Sequence, residues 1–399
     1  MLREIKKPNR DHARRLLQCL AVAIRPLRVE ELAEVLAVDF DDGSGIPKLK
    51  PGWRWEDQEQ ALLTSCSSLI TIVDTGASRV VQFSHFSVKE FLTSPRLSTS
   101  SQDVSHYHIV LGPAHTILAQ SCLSILLQQD EDSSVEKCSP LAGYAAEHWV
   151  RHAQFEDVVS RIKGMEYIFD LDKPYFAAWC KLHDIDTNRT DSVFYQFTLD
   201  RSGANTPLYY VALCGFSNIV EQLIVKHPEH INATGSLYRT PAVAALAGRY
   251  FKLAQVLHRN GSSVDPQGRK GVSTLHSATF YWDLEMVQVL LDYGVDVNAK
   301  NDWGNTPLNY ALKYGHKIVD PSVVRLLLDH GADPNLQANG GQTPLYRASE
   351  YGKVEIVRLL VERGASVEVQ DEEGQTALDV ASGDHRDEII KLLLEHRAK

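Results

Sequence analysis

The amino-acid sequence predicts a mainly α-helical chain with a small β-hairpin near its N-terminus and a helical solenoid at its C-terminus. Three observations support this fold class. A short helix-start motif recurs about every 33 residues through the second half of the chain. Apolar residues in the first half recur at helical spacing. Two β-branched runs, separated by a Gly-containing turn, follow those helices and predict the hairpin.

The recurring motif is Thr-Pro-Leu or a close variant of it. Its copies begin at Thr206, Thr240, Ser273, Thr306, Thr343 and Thr376, with spacings of 34, 33, 33, 37 and 33 residues. The Pro falls in the first turn of a helix, where its missing N–H is not needed. Thr-Pro-Leu with a period near 33 is the signature of ankyrin repeats. We therefore predict six ankyrin repeats over residues 201–399.

Each repeat is predicted to contain a turn, an inner helix and an outer helix. In the fourth repeat the inner helix is predicted at Asn309–Tyr314 and the outer helix at Val323–Asp329, and a longer connection through Lys317–Ser322 explains the spacing of 37. Arg249 and Trp282 stand where other repeats have the Gly that ends the inner helix. Because a side chain disfavours left-handed backbone, strained or reshaped turns are predicted at both positions.

The N-terminal half predicts a winged helix at residues 11–97, followed by a helical bridge at residues 105–200. The predicted elements of the winged helix are helices at 11–24, 29–36 and 56–68, strands at 69–73 and 79–83, and a closing helix at 86–92. Residues 41–52 and 94–105 are predicted to be loops. The bridge is predicted to begin with a long helix within Tyr107–Gln129, and a second helix starts near Pro140.

Five segments of this half carry a resemblance to a known family. They are Leu16–Ile24, Arg25-Pro-Leu, Glu30-Glu-Leu-Ala, Cys66-Ser-Ser-Leu-Ile and His85-Phe-Ser-Val-Lys-Glu-Phe-Leu. Together they resemble the winged-helix segment of fungal NACHT–ankyrin proteins of the STAND type, a segment named after the GPI inositol deacylases. The name carries no activity here, and the resemblance covers residues 11–155 and the repeats.

The resemblance implies that the repeats sense a ligand and that the winged helix relays this state to an NTPase. The phosphate-binding motif Gly-x-x-x-x-Gly-Lys-Ser/Thr is absent from the sequence, so no nucleotide is expected to bind. The chain is therefore expected to be either a stand-alone descendant of such a protein or a truncated fragment whose catalytic part is elsewhere.

Composition limits the function classes. The net charge of −10 argues against a general binder of nucleic acid or anionic membranes. The six cysteines are widely separated and form no Cys-x-x-Cys, which predicts reduced thiols and an intracellular protein, cytoplasmic or nuclear. No apolar run approaches the roughly 20 residues of a membrane span.

The sequence predicts no catalytic, cofactor or metal site, and hence no enzyme. His148 and His152 share a helix face, but Trp149 stands where a metalloprotease has Glu, and no third ligand is evident. Packing is the favoured interpretation of this pair. Ser84 and His85 near Asp74 do not have a spacing that supports a catalytic triad.

The winged helix leaves DNA binding open as an alternative function. The helix that would enter the groove, at residues 56–68, has three acidic residues and no Lys or Arg. Phosphate attraction is the main source of DNA affinity, so the favoured interpretation is a packing module.

The favoured function is a non-catalytic protein-binding scaffold or sensor that uses the concave groove of the repeats. Its predicted contact residues are Arg239, Arg269, Lys270 and Trp303 at turn tips and Phe280, Tyr281, Lys313, Tyr314, Glu350 and Tyr351 at exposed inner-helix positions. Trp beside other aromatic residues is typical of binding hot spots. The alternative for Tyr314 and Tyr351, each followed by Gly, is packing against the next repeat.

Overall fold

A computed structural model describes residues 2, 5–40, 46–128, 139–183, 206–235, 238–281, 283–312, 320–381 and 385–397. It divides into two compact units, Met1–Asn188 and Arg189–Lys399. Helices dominate both units, and the first also contains short strands, so the predicted mainly α fold class is confirmed.

The first unit combines helices with a small antiparallel sheet. Its helices are α1 (Arg10–Val22), α2 (Val29–Leu36), α3 (Gln58–Cys66), α4 (Phe86–Thr93), α5 (Pro95–Ser98), α6 (Gln102–Ser105), α7 (Leu111–Leu126), α8 (Ala142–Ala153), α9 (Met165–Ile168) and α10 (Tyr175–Leu182). Its strands are β1 (Leu27–Arg28), β2 (Val38–Asp39), β3 (Lys48–Leu49), β4 (Ile70–Asp74) and β5 (Arg79–Phe83). The sheet order β1-β5-β4 pairs Val81 with Leu27 on one side and Ile72 on the other.

Two predicted loops contain regular structure. Within 41–52, β3 pairs with β2 because Val38 and Leu49 bury their side chains on the same small sheet. Within 94–105, α5 and α6 form, and Pro95 occupies the first turn of α5. Residues 41–45 of the first of these segments lie outside the described residues.

Two buried carboxylates on α2 hold the first unit together. Glu31 accepts two hydrogen bonds of 2.8 Å from the Arg25 guanidinium and one of 2.8 Å from the Arg28 backbone N–H. Glu34 pairs with Arg54 and accepts a bond of 2.7 Å from Ser139 Oγ. Burial alone would raise the pKa of Glu31, but the Arg25 guanidinium and the Arg28 N–H outweigh it and lower the pKa. Both carboxylates are fully buried, whereas the guanidinium groups that pair with them, on Arg25 and Arg54, are 37% and 38% exposed.

In the second unit inner and outer helices alternate, except that in the last repeat residues 377–380 form a turn where the inner helix was predicted. The helices are α11 (Pro207–Cys214), α12 (Ser217–Lys226), α13 (Pro241–Ala247), α14 (Phe251–Arg259), α15 (Thr274–Phe280), α16 (Leu284–Asp292), α17 (Pro307–Leu312), α18 (Pro321–Asp329), α19 (Pro344–Glu350), α20 (Val354–Glu362) and α21 (Arg386–Arg397). The Leu of the helix-start motif fills the core, because Leu208, Leu275, Leu308 and Leu345 are at most 1% exposed. The threonine hydroxyl caps the inner helix: Thr343 Oγ1 accepts from the Tyr346 N–H at 3.1 Å.

An asparagine carboxamide joins each of several repeats to the next. Asn298 Nδ2 donates to the Gly331 carbonyl at 3.0 Å, and Asn298 Oδ1 accepts from the Asp333 N–H at 2.9 Å. Asn232 and Asn335 make the same pair of bonds to the following repeat. We call this arrangement the asparagine clamp. It uses the donor and the acceptor of one amide to satisfy two backbone groups at the repeat boundary.

The clamp is interrupted between the second and third repeats, where Asp265 takes the place of Asn. Asp265 Oδ1 instead accepts from the Leu275 N–H at 2.8 Å, because a carboxylate has no N–H to donate. Other contacts join these repeats. Arg249 pairs with Asp283 at 2.8 Å and Glu285 at 2.9 Å, and the Tyr293 hydroxyl donates to the Phe251 carbonyl at 3.0 Å.

The strain predicted at Arg249 is confirmed. Its φ of 64° is in the left-handed region, which Gly215 and Gly352 occupy with φ of 79° and 67° in regular repeats. Trp282 lies outside the described residues, as do residues 317–319 of the long connection at Lys317–Ser322. In the last repeat α21 carries Ile389 into the core.

The asparagine clamp gives a prediction for stability. Asn298→Ala removes both bonds to the next repeat and is expected to lower the free energy of unfolding by about 1–3 kcal/mol, since each bond contributes about 0.5–1.5 kcal/mol. Urea unfolding followed by far-ultraviolet circular dichroism measures this change. Asp265→Asn is the matched control, because it restores a clamp side chain. If Asn298→Ala and Asp265→Asn lost equal amounts of unfolding free energy, the hydrogen bonds of the Asn298 amide would contribute nothing to stability.

Candidate partner-binding surface

Aromatic residues from two neighbouring repeats form one cluster on the array. Val272, Phe280 and Tyr310 are buried, at 3%, 8% and 1% exposure, and the half-buried Tyr281 and Trp303 pack against them. We call these five residues the Trp303 cluster. The ends of α15 and α17 and the turn between repeats thus meet at one place, with Trp303 partly open to solvent.

The turn that carries Trp303 is fixed by its own hydrogen bonds. Asn301 Oδ1 accepts from the N–H groups of Trp303 at 3.0 Å and Asn305 at 3.1 Å. Gly304 adopts a φ of 68°, and a Cβ there would lie 2.8 Å from the Asn339 backbone nitrogen, so only Gly fits. The indole is therefore held on a backbone with little freedom to move.

Neighbouring turn tips also hold one another. The Asp302 N–H donates to the Lys270 carbonyl at 2.9 Å, and the Asn339 N–H donates to the Trp303 carbonyl at 2.9 Å. Lys270 is exposed, and its Nζ lies 5.6 Å from the centre of the Trp303 ring, within cation–π distance. The contact places a positive charge beside the open part of the indole.

The predicted exposure of Phe280 is wrong. Its ring packs edge-on against Tyr281 at 4.9 Å and tilts against Tyr310 at 5.6 Å, so the next repeat covers it. Phe280 therefore lies in the buried layer on which the more exposed residues of the cluster pack. Trp303 and Tyr281, predicted to be exposed, are half-buried in the same packing, and burial raises the pKa of the Tyr281 hydroxyl.

The remaining predicted contact residues are placed as follows. Arg239 is half-buried with a φ of 64°, and its Nη1 donates to the Gln267 carbonyl at 2.9 Å, which ties it to the next turn. Glu350 and Tyr351 lie at the end of α19, and Tyr351 is 37% exposed. Lys313, Tyr314 and the side chain of Arg269 lie outside the described residues. The structure thus brings together Lys270, Phe280, Tyr281 and Trp303.

Sequence reasoning missed Tyr310 and Val272 as parts of this surface. Tyr310 stands four residues after Thr306, in the inner helix, and Val272 stands just before the helix-start motif of the third repeat. An aromatic residue at such an inner-helix position, one repeat after Phe280, is the signal that could have identified the contact. The pairing was hidden because it joins residues 30 positions apart in sequence.

The third helix of the winged helix packs on its own unit. Leu62, Ser65 and Cys66 of α3 are buried, and Glu59 pairs with Arg79 on β5. At its N-terminus Asp57 Oδ1 accepts from the Gln60 N–H at 2.9 Å. The acidic side chains of this helix thus take part in local pairing and capping.

The histidines considered as ligands or catalytic groups have packing roles. His152 is fully buried; its Nδ1 lies 2.8 Å from His115 Nδ1, and its Nε2 lies 2.9 Å from the Tyr144 hydroxyl. Burial lowers the pKa of His152 to about 3, and it also lowers the pKa of His115. His85 caps α4, because its Nδ1 accepts from the Ser87 N–H at 3.2 Å.

A possible metal-ligand group that sequence reasoning missed lies in the second unit. His227, Glu229 and His230 bring three ligand atoms within 4.8 Å of one another. The sequence signal was the tetrapeptide His-Pro-Glu-His, which places three ligand residues within four positions.

Among the residues that the structure describes, every helix is too short or too polar to cross a lipid bilayer.

The buried histidines predict acid sensitivity of the first unit. The unfolded chain protonates His152 near pH 6.5, whereas the folded chain does so only near pH 3, so protons favour unfolding between these values. Lowering the pH from 7 to 5 is expected to cost about 2 kcal/mol of unfolding free energy through this residue. Urea unfolding at both pH values measures the loss.

Two variants test the assignment to His152. His152→Gln is expected to reduce the difference between the two pH values, because it removes the titrating ring. Tyr144→Phe removes the bond to His152 Nε2 but keeps the imidazole, so it is expected to lower stability at both pH values alike. An unchanged pH dependence in His152→Gln would contradict the prediction.

Models of known protein families match both halves of the chain. The model for ankyrin repeats matches residues 241–338 and 318–399. The model described as "GPI inositol-deacylase, winged helix domain" matches residues 2–102. The predicted resemblance of the N-terminal segment to that winged helix is thereby confirmed.

Several known proteins are similar to parts of this chain. Azaphilone pigments biosynthesis cluster protein L of Monascus ruber is 31% identical over 274 residues, which cover 64% of this chain and 56% of that protein. Human Rabankyrin-5 is 31% identical over 118 residues, which cover 29% of this chain and 10% of that protein. A solved ankyrin repeat domain from Acinetobacter baumannii AYE is 28% identical, covers 48% of this chain and 97% of its own, and has a TM-score of 0.41.

The chain thus spans just over half of the Monascus relative and a tenth of the human one. The two family models match different parts of it, at opposite ends. The chain therefore combines ankyrin repeats with a winged helix domain of the GPI inositol-deacylase type.

Proposed function

We propose that this chain is a non-catalytic scaffold or sensor that binds a protein partner on the Trp303 cluster. Ankyrin repeats support a role in protein–protein interaction. The observation that carries the proposal is the half-buried Trp303, supported from below by Phe280 and Tyr310 and flanked by the exposed Lys270. This is the arrangement of an aromatic anchor at a binding hot spot.

The rigid setting of Trp303 favours binding. An interface side chain that must be immobilised costs about 0.5–1.5 kcal/mol of affinity. The Asn301 bonds and the contacts with the Lys270 and Asn339 backbones already fix this turn before a partner arrives. A partner group that covers the indole therefore binds without the entropic cost of ordering the Trp303 turn.

The distribution of charged residues along the repeats predicts how a bound partner is oriented. Lys270 and Arg239 lie on the side of the early repeats, whereas Glu350, Glu372 and Glu373 lie in the later ones. An acidic segment of the partner is expected near Lys270 and a basic one near the acidic tips. The proposed partner therefore has an apolar or aromatic residue between two oppositely charged segments.

The chemistry and the relatives favour an intracellular partner. The cysteines among the described residues are free, and Cys19, Cys66, Cys122 and Cys214 are buried, which fits a reducing compartment such as the cytoplasm or nucleus. The winged helix of the GPI inositol-deacylase type is also consistent with an NTPase of the NACHT type as partner. The name of the Monascus relative places that protein in a pigment biosynthesis cluster. Proteins encoded beside this chain are therefore the first candidates to test.

DNA binding through the winged helix has weaker support. The helix that would enter the groove carries acidic residues, and Glu59 of α3 already pairs with Arg79. Phosphate contacts require a basic surface.

The proposal predicts that Trp303→Ala combined with Tyr281→Ala abolishes partner capture. Loss of hot-spot side chains costs about 2 kcal/mol or more each, which corresponds to at least a thirty-fold weaker complex. Affinity capture by the full chain from a fungal lysate, quantified by mass spectrometry, identifies the proteins lost in the double variant. Biosensor titration with each recombinant protein then measures the change in Kd.

Two further variants separate binding from folding. Val225→Ala removes an apolar side chain that is 82% exposed on α12 and is expected to leave capture unchanged. Lys270→Glu reverses an exposed charge beside Trp303 without opening the core, and it is expected to weaken binding while the thermal transition is retained. The proposal fails if the Trp303→Ala, Tyr281→Ala double variant and Lys270→Glu both fold and still bind as wild type.

A further inference from the structure

His227, Glu229 and His230 lie together where the outer helix of the first repeat ends. His227 follows the last residue of α12, and Pro228 starts a turn of 3₁₀-helix that runs to Asn232. His227 Nδ1 lies 3.3 Å from Glu229 Oε1, and the two imidazole rings stack with their centres 5.6 Å apart. One ligand atom from each residue lies within 4.8 Å of the other two.

We propose that these three residues form a binding site for a divalent transition-metal ion, with zinc as the expected ion. Two imidazole nitrogens and one carboxylate oxygen are a ligand set that zinc takes, with water completing the tetrahedron. Calcium and magnesium prefer sites made of oxygen atoms alone, so the two histidines select against them. Copper(II) binds the same ligand types more tightly in general, but two His and one Glu with a bound water are a ligand set that proteins use for zinc.

The backbone holds the three ligands near one another before a metal binds. The His227 N–H donates to the Leu223 carbonyl at 2.8 Å, and the His230 N–H donates to the His227 carbonyl at 3.0 Å. Asn232 ends the turn and clamps it to the next repeat through Gly261 and Ser263. Pro228 fixes one backbone angle within the turn. Only side-chain rotations are therefore needed to close the site around an ion.

The local electrostatics favour a cation. The Glu229 carboxylate contributes a negative charge 3.3 Å from His227 Nδ1. The negative end of the α12 dipole also lies at His227. The exposed Lys226 is the opposing charge on this element. A bound ion would tie the end of α12 to the clamped turn and thereby stabilise the beginning of the array.

Zinc titration of the full chain tests this proposal. Protein freed of metal with EDTA and then dialysed is titrated with zinc chloride in a calorimeter, and cobalt(II) absorption reports the coordination geometry. We expect one tight zinc site per chain. Glu229→Gln and His230→Ala are each expected to weaken zinc binding by about ten-fold or more, since each removes one of three ligands.

His330→Ala is the matched control. His330 follows α18 as His227 follows α12, and it contacts the Leu326 carbonyl at 2.9 Å. Its removal is expected to leave zinc binding unchanged. The proposal is overturned if Glu229→Gln binds zinc as wild type, or if His330→Ala weakens binding as much as His230→Ala does.

A thermal measurement gives a second readout. Zinc is expected to raise the melting temperature of the wild type and of His330→Ala equally, and that of Glu229→Gln by less. Glu229 is exposed, so Glu229→Gln is expected to fold as the wild type without metal, and it decides the question even if His230→Ala does not fold. An equal zinc-induced shift in Glu229→Gln and wild type would also overturn the proposal.

Discussion

The second unit depends on contacts that each repeat makes with the next, because a single helix pair cannot bury its apolar face alone. The asparagine clamp is the polar half of this contact, and the buried Leu of each helix-start motif is the apolar half. Where Asp265 interrupts the clamp, exposed ion pairs of Arg249 join the repeats instead. Exposed pairs are weak and are screened by salt, so this boundary differs from its neighbours in its response to ionic strength.

The second and third repeats, which meet at this boundary, also contain side chains on strained backbone. Arg239, Arg249 and Lys270 all adopt positive φ, near 60°, whereas the later turns use Gly304, Gly341 and Gly374 at positive φ. A side chain in that region costs about 1–2 kcal/mol. At Lys270 the strained backbone also places the ammonium beside Trp303 and offers its carbonyl to the Asp302 N–H. Strain retained at such a position fits a role in recognition.

The helix-start motif was sufficient to predict the array, because Thr, Pro and Leu each have a local role that does not depend on distant residues. The buried state of Phe280 could not be predicted in this way, since Tyr310 of the next repeat covers it. Glu31 and Glu34 look like exposed helix residues in sequence, and only the fold brings Arg25 and Arg54 to them. The His227 group was missed because helical spacing directed attention to His148 and His152, whereas a 3₁₀ turn gathers the ligands.

Fixed turns couple the proposed binding surface to the stability of the array. Trp303 is held by Asn301 within its own turn and by the backbones of Lys270 and Asn339 in the turns on either side. A substitution that loosens either neighbouring repeat is therefore expected to change the position of the indole, even where the substituted residue does not contact a partner. Affinity at such a surface depends on pre-organisation as well as on contact area. If the proposed surface binds a partner, the regular later repeats and the clamp at Asn298 contribute to that binding by keeping the Trp303 turn in one conformation.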